Sequence, residues 1–154
     1  MPRISTSRRS LLTAAVAVPA ATLGAPLLAT PAAAVDAPGG INVVHDWQPL
    51  TLASGVTAAV DVPAVRVVKI AGTDFLQMRG GFTGQFTADT VIGSMPATIT
   101  VPKVVRAVCP RNNSAGINSC RVEVHTTGRI TVFGGTTAND ITWVTLDSYS
   151  AVLA

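Results

Sequence analysis

Cys120-Arg121-Val122-Glu123-Val124-His125-Thr126-Thr127-Gly128-Arg129-Ile130-Thr131-Val132-Phe133 decides the fold class. Val122 and Val124 alternate with Arg121, Glu123 and His125, and Ile130 and Val132 resume the alternation beyond Thr126-Thr127-Gly128. A period of two puts the valines on a core face and the charged residues on a wet one. A three-residue connection ending in glycine, which takes positive φ without a Cβ penalty, folds the two runs into a hairpin.

Outward from this hairpin, residues 103–109 read as the preceding strand, and residues 64–70, 75–86 and 141–151 as further strands. All are rich in Val, Ile, Thr or Phe and bounded by Gly, Pro or Asn. Gly80-Gly81 and Gly84 mark bends or bulges inside the longest of them. No stretch of this region carries apolar residues at sustained helical spacing with caps. The expectation is an all-β fold, a single antiparallel β-sandwich of jelly-roll type with about seven to eight strands.

The N-terminus has a different grammar. Arg3, Arg8 and Arg9 precede a stretch from Ser10 to Val35 without a charged side chain, the layout of a cleavable signal helix. Within it, Ser7-Arg8-Arg9-Ser10-Leu11-Leu12-Thr13 resembles the twin-arginine export pattern. Pro19, Gly24 and Pro26 interrupt the apolar stretch and make it a poor permanent span. Small residues place cleavage between Ala34 and Val35, with Ala33 as the near alternative. The expected organisation is a signal at 1–34, a leader at 35–46 and a β-sandwich domain at 47–154, secreted by a bacterium and not stably inserted in a membrane after cleavage. The twin-arginine route implies folding before export.

Removing Arg3, Arg8 and Arg9 leaves eight basic residues against eight acidic ones. The mature domain is near neutral, so the basic character of the full chain says nothing about nucleic acid, and no nucleic-acid partner is expected. A remainder of about 120 residues builds one core.

Cys109 and Cys120 are the chain's two cysteines. In an exported domain an even count points to a disulfide. They flank residues 110–119, Pro-Arg-Asn-Asn-Ser-Ala-Gly-Ile-Asn-Ser, which read as a surface loop that the bond staples for roughly 3 kcal/mol. Zinc needs further Cys or His at ligand spacing, so neither a metal site nor a cofactor is expected.

Catalysis needs a nucleophile with its base, a carboxylate pair or a metal cluster, and no such spacing is visible. His125 beside Glu123 reads as a solvated charge ladder, and His45-Asp46 falls in the leader. Ser54 and Ser94 sit in turn contexts without a nucleophile elbow. Arg79-Gly80-Gly81-Phe82-Thr83-Gly84 lacks the Lys-Ser/Thr and the helix of a phosphate loop. Asn112-Asn113-Ser114 is a glycosylation sequon that marks an exposed turn. Asp74, Asp89, Asp140 and Asp147 are the carboxylates that folding could bring together. Trp47, Trp143 and Tyr149 are candidate sugar platforms, with at least two of them expected in the core on grounds of area.

The order of motifs carries a resemblance. Trp47-Gln48-Pro49-Leu50-Thr51-Leu52 and Ser54-Gly55-Val56-Thr57 are followed by Pro63-Ala64-Val65-Arg66-Val67-Val68 and by Phe75-Leu76-Gln77-Met78-Arg79-Gly80-Gly81-Phe82-Thr83-Gly84. Ile92-Gly93-Ser94-Met95-Pro96, the 121–132 hairpin and Val144-Thr145-Leu146-Asp147 complete the series. Together they resemble the C-terminal β-sandwich domain of phage tail and receptor-binding proteins, also found in secreted actinobacterial proteins. The resemblance implies a trimeric head with a host-binding surface. The functional expectation is a secreted, non-catalytic recognition module for a glycan or another cell-envelope component. A small extracellular hydrolase or lyase and a self-associating envelope protein are the alternatives.

Overall fold

The computed structural model describes residues 40–153. The expected signal helix, with Arg8, Arg9 and the expected Ala34–Val35 cleavage position, lies outside the described residues. The elements are β1 (Ile41–Pro49), β2 (Thr51–Leu52), β3 (Thr57–Ala58), β4 (Ala64–Ile70), β5 (Thr73–Arg79), β6 (Gly81–Phe86), β7 (Thr90–Ser94), β8 (Val105–Ser114), β9 (Ile117–Val124), β10 (Arg129–Phe133), β11 (Ile141–Thr145) and β12 (Ser150–Val152). All named pairings are antiparallel.

They form two layers, a four-stranded sheet in the order β1-β4-β5-β12 and an eight-stranded sheet in the order β2-β7-β10-β9-β8-β11-β6-β3. The two ends of the larger sheet, β2 and β3, are consecutive in the chain and joined by a turn in which Val56 N–H donates to Ala53 O at 3.1 Å. That sheet therefore nearly closes on itself.

The twelve strands outnumber the seven or eight expected because two of the anticipated ones each split between the layers and because β1, β2, β3 and β7 fall outside the anticipated stretches. The stretch 75–86 leaves the small sheet at Gly80 and continues as β6 of the large one. Residues 141–151 cross back through a tight turn in which Tyr149 N–H donates to Leu146 O at 2.8 Å. Gly80 has φ +77, and a Cβ there would lie 2.6 Å from Val62 O and 2.7 Å from Asp61 O. Only glycine satisfies both the left-handed backbone and the crowding.

The opening hairpin forms as its pattern dictates. Val122 pairs with Val132 and Val124 with Ile130, all fully buried, and Gly128 closes the turn with φ +79. Facing them across the core are Val65, Val67, Leu76 and Met78 of the small sheet. Tyr149, 1% exposed, lies between the layers and donates its hydroxyl to Val105 O at 3.1 Å.

Two expectations need correction. The leader does not extend to residue 46, because β1 starts at Ile41 and pairs with β4 from Ile41↔Ile70 onward. Nor is 110–119 a loop. β8 runs to Ser114 and β9 resumes at Ile117, leaving a two-residue turn at Ala115 (φ 51) and Gly116 (φ 77). Ala71 (φ 49) and Gly72 (φ 84) make the same turn between β4 and β5. Positive φ at both central residues matches the twist of the strands, which is why this turn closes hairpins.

Candidate binding site

The outer face of the small sheet follows from register. Val65↔Met78 and Val67↔Leu76 point inward, so Arg66↔Gln77 and Ala64↔Arg79 point out, as does Ser150, opposite Gln77 on β12. β1 supplies Trp47 to this face through an irregularity. His45 pairs with Val67 and Gln48 with Val65, so Asp46 and Trp47 together oppose Arg66 alone. Two residues against one is a β-bulge, which re-aims a side chain and frees a backbone N–H. The Asp46 carboxylate takes that N–H, accepting from Trp47 N at 2.7 Å.

The result is a half-buried indole flanked by two guanidiniums. Arg66 Cζ lies 4.6 Å and Arg79 Cζ 4.5 Å from the Trp47 ring centroid. Each stacked cation contributes roughly 0.5–1 kcal/mol at such an exposed site. Arg66 is also held by its Nε donation to Gln77 Oε1 at 2.9 Å. Arg79 is exposed, and among the described residues neither arginine forms an ion pair. Trp47, both arginines, Gln77, Met78, Asp147, Tyr149 and Ser150 line a cleft of about 280 Å³. Asp147 is fixed at its rim by accepting from Gly80 N–H at 2.8 Å, so the sheet crossing at Gly80 and the cleft share one anchor. Flat guanidiniums on an indole present their N–H edges to solvent, where oxygen-rich ligands accept hydrogen bonds.

A second, shallower cleft of about 470 Å³ lies on the larger sheet, lined by Asp89, Val108, Ile117, Ser119, Cys120, Arg121, Phe133 and Gly134. Arg121 stacks on Phe133 at 4.3 Å. Glu123 is not the solvated rung expected beside His125. It is 5% exposed and accepts from Arg106 Nε at 2.6 Å and Arg121 Nε at 3.0 Å, with His125 Nε2 at 4.0 Å. The two arginines lie over the carboxylate and exclude water from it while staying half exposed themselves.

The four candidate aspartates do not share these clefts. Asp147 is the one carboxylate lining the first and Asp89 the one lining the second. Asp74 pairs with Lys69 at 3.6 Å at the far end of β5. Asp140 turns its carbonyl to Arg111 Nη2 at 2.6 Å and Asn112 Nδ2 at 3.0 Å. Of the three aromatic candidates only Tyr149 is core. Trp47 is half-buried and Trp143 is 42% exposed, because β11 turns Trp143 outward opposite Thr83. Area alone misjudged them, since these strands present their large side chains on both faces. Asn112 of the sequon is in β8, where its side chain bridges Asp140 O and Thr142 N–H, the latter at 2.8 Å. His45 lies in β1. Ser94 closes β7, and Ser54 is in the β2–β3 turn.

Cys109 and Cys120 are directly opposed in the β8–β9 ladder, buried and free as thiols. The Cys120 thiol is 3.7 Å from Cys109 O, its acceptor. Burial pushes both thiols up, Cys109 to about 12 and Cys120 to about 11.

No family model matches the chain, and no curated protein matches it. Among solved structures, the chain shares the fold of the receptor-binding protein gp15 of Listeria phage PSA, with a TM-score of 0.52 and 13% identity over 76% of this chain and 67% of that one. The head domain of lactococcal phage bIL170 is similar over 71% of this chain and 99% of that domain, with a TM-score of 0.49 and 16% identity. The phage-tail-like β-domain expected from the motif order is thus the fold found.

Proposed function

We propose that the protein is a non-catalytic recognition module that binds a glycan or another cell-envelope component at the Trp47 cleft. The observation that carries the reading is the indole held on the outer sheet face between Arg66 and Arg79, with Gln77, Asp147 and Ser150 around it. An apolar plate ringed by fixed polar groups suits a ligand with one apolar face and many oxygens. The Listeria phage protein of the same fold is a receptor-binding protein, which supports surface recognition as the class of activity. Secretion through the twin-arginine signal and assembly as a trimer belong to the same proposal. Replacing Arg8 and Arg9 by lysine in a reporter fusion tests the first, and sedimentation of the mature domain tests the second.

The binding test uses the Trp143→Phe variant, which leaves Trp47 as the single tryptophan and a fluorescence reporter of the cleft. Titration with purified cell-wall polysaccharide and with a glycan panel is expected to change its emission, and Trp47→Ala or Arg79→Ala to abolish binding measured by calorimetry while the thermal melt is retained. No binding at millimolar ligand, or binding indifferent to both substitutions, refutes the proposal.

A further inference from the structure

The registers that bring Trp47, Arg66 and Arg79 together also order the rest of the outer face of the small sheet. Val43, Val68, Phe75 and Val152 are paired in one row across all four strands. That row lies two positions along from Arg66↔Gln77, so its side chains share the outer face. Ile41, Ile70 and Thr73 form the row beyond. Between these rows Lys69↔Asp74 points to the other side, and the two side chains pair with each other at 3.6 Å, so no charge stands in the apolar rows. Val68 is 2% exposed, yet it stands apart from the core between the layers. Its shield is the ring of outer-face side chains around it, among them Ile41, 73% exposed, and Val43, 50% exposed.

The face is therefore divided along the strand direction. At about 3.3 Å per residue, the Arg66 row lies roughly 7 Å from the first apolar row and about 13 Å from the second. Four strands spaced about 4.8 Å apart make the first apolar row about 14 Å wide. Apolar side chains thus stand on an open sheet face, bordered at one end by an indole and two guanidiniums without ion-pair partners among the described residues. The carboxylates beside the arginines are engaged, Asp46 by Trp47 N–H and Asp147 by Gly80 N–H. A second copy stacked here would bring four guanidiniums into one desolvated layer, which is costly. A layer of acyl chains edged with anionic headgroups complements both halves of the face.

We propose that this face docks the protein on an anionic lipid surface, with Ile41, Val43, Phe75 and Val152 against the acyl boundary and Trp47, Arg66 and Arg79 at the level of the headgroups. Docking in this way rests on the recognition reading above, with the headgroups as the oxygen-rich ligands of the Trp47 cleft. An indole suits that boundary because its body is apolar and its N–H is polar. The guanidiniums donate paired N–H groups to phosphate oxygens. Association is reversible, because its strength scales with the buried apolar area and with the attraction to anionic lipid.

The test uses the chain from Val35 in the Trp143→Phe background, since the apolar stretch ahead of Val35 binds lipid by itself and every named strand and core residue lies beyond it. Co-sedimentation with vesicles of equal parts phosphatidylglycerol and phosphatidylcholine, against phosphatidylcholine alone, measures affinity, and Trp47 emission measures immersion. The mixed vesicles are expected to bind the protein and shift its emission to shorter wavelength. Arg66→Gln and Arg79→Gln each weaken binding about fivefold, and phosphatidylcholine alone binds about 25-fold more weakly, the product of the two. Ile41→Ser and Val43→Ser each weaken it about tenfold with the thermal melt retained, whereas Val108→Ser, exposed on the larger sheet, leaves it unchanged. The proposal is overturned by equal binding to the two kinds of vesicle, by binding indifferent to Ile41→Ser and Val43→Ser, by no binding at millimolar lipid, or by an oligomer that Val43→Ser dissociates, which gives the face to a second copy. Soluble glycan separates this proposal from the recognition reading. Glycan binding without vesicle binding overturns lipid docking alone, and vesicle binding without glycan binding upholds lipid docking and removes the glycan.

Discussion

Gly80→Ala tests whether the sheet crossing is set by backbone geometry. Gly80 carries φ +77, and a Cβ would meet Val62 O at 2.6 Å and Asp61 O at 2.7 Å. Neither oxygen is the end of a flexible side chain, and Asp61 O is already engaged, accepting from Gly81 N–H at 3.1 Å. Gly72 is the internal control, with a similar φ of +84 and nothing within 4 Å of its added Cβ. Alanine at Gly72 therefore costs the left-handed penalty alone, about 1–2 kcal/mol. At Gly80 the same penalty is joined by displacement of two main-chain carbonyls, bringing the cost to about 3–4 kcal/mol.

For a domain of this size about 1 kcal/mol shifts the melting midpoint by roughly 4 °C. Gly72→Ala should then melt about 4–8 °C lower than the parent and Gly80→Ala about 12–16 °C lower, measured by circular dichroism or calorimetry. Because Gly80 N–H is held by Asp147 and Gly80 follows Arg79 directly, the Gly80 variant should also move Arg79 relative to Trp47 and change the indole emission of the Trp143→Phe background. Equal melting shifts for the two alanine variants would refute the steric account and leave only the φ term.

Ala115→Asn and Ala71→Asn relieve an alanine held at φ 51 and φ 49 in two-residue hairpin turns, and each should raise stability by about 0.5–1 kcal/mol in urea titrations. Arg111→Met should cost about 2–3 kcal/mol by the same assay, since it strips three hydrogen bonds from a buried site and leaves Asn139 Oδ1 without its donor. Stability of the reduced protein should fall as pH rises above about 9: the thiols and the Tyr149 hydroxyl are all raised by burial, so above their ordinary values the unfolded chain has released protons that the folded one still holds. Each group contributes that loss at no more than about 1.4 kcal/mol per pH unit up to its folded value, and a flat profile between pH 9 and 11 would contradict the burial.

The elements legible in the sequence are those whose side chains and backbone agree. Residues 120–133 alternate, turn at a glycine and pack as read, and Ala64–Ile70 coincides with β4. The readings that failed have a common cause. Residues 110–119 are turn formers by composition, yet all but Ala115 and Gly116 are strand, because their backbone groups find partners across the ladder and Asn112 satisfies two groups of the neighbouring β11 segment with its side chain. β1 escaped notice because its bulges at Val44 and at Asp46-Trp47 break the period of two on which strand recognition depends. The Trp47 site was legible only as its separate parts. Trp47, Arg66 and Arg79 come from three strands, and their meeting depends on the registers Arg66↔Gln77 and Ala64↔Arg79, which no local pattern encodes.

The same irregularities that hid the site also build it. A regular β1 would oppose Arg66 with one residue, and Trp47 would fall out of step with the outer face; the bulge supplies the half-turn that sends the indole outward, and Asp46 satisfies the N–H that the bulge releases. At the other end, a β5 that ran on past Arg79 would carry the chain away from Asp147. Gly80 instead bends it back, so that Leu146 N–H reaches Gly80 O at 2.8 Å and Asp147 reaches Gly80 N–H. The cleft is thereby fixed by backbone features of the small sheet, whereas the cysteine pair is fixed by the regular ladder of the large one. Tyr149 joins the two, lining the cleft and approaching Cys109 between the layers, and residues with a shared partner are coupled.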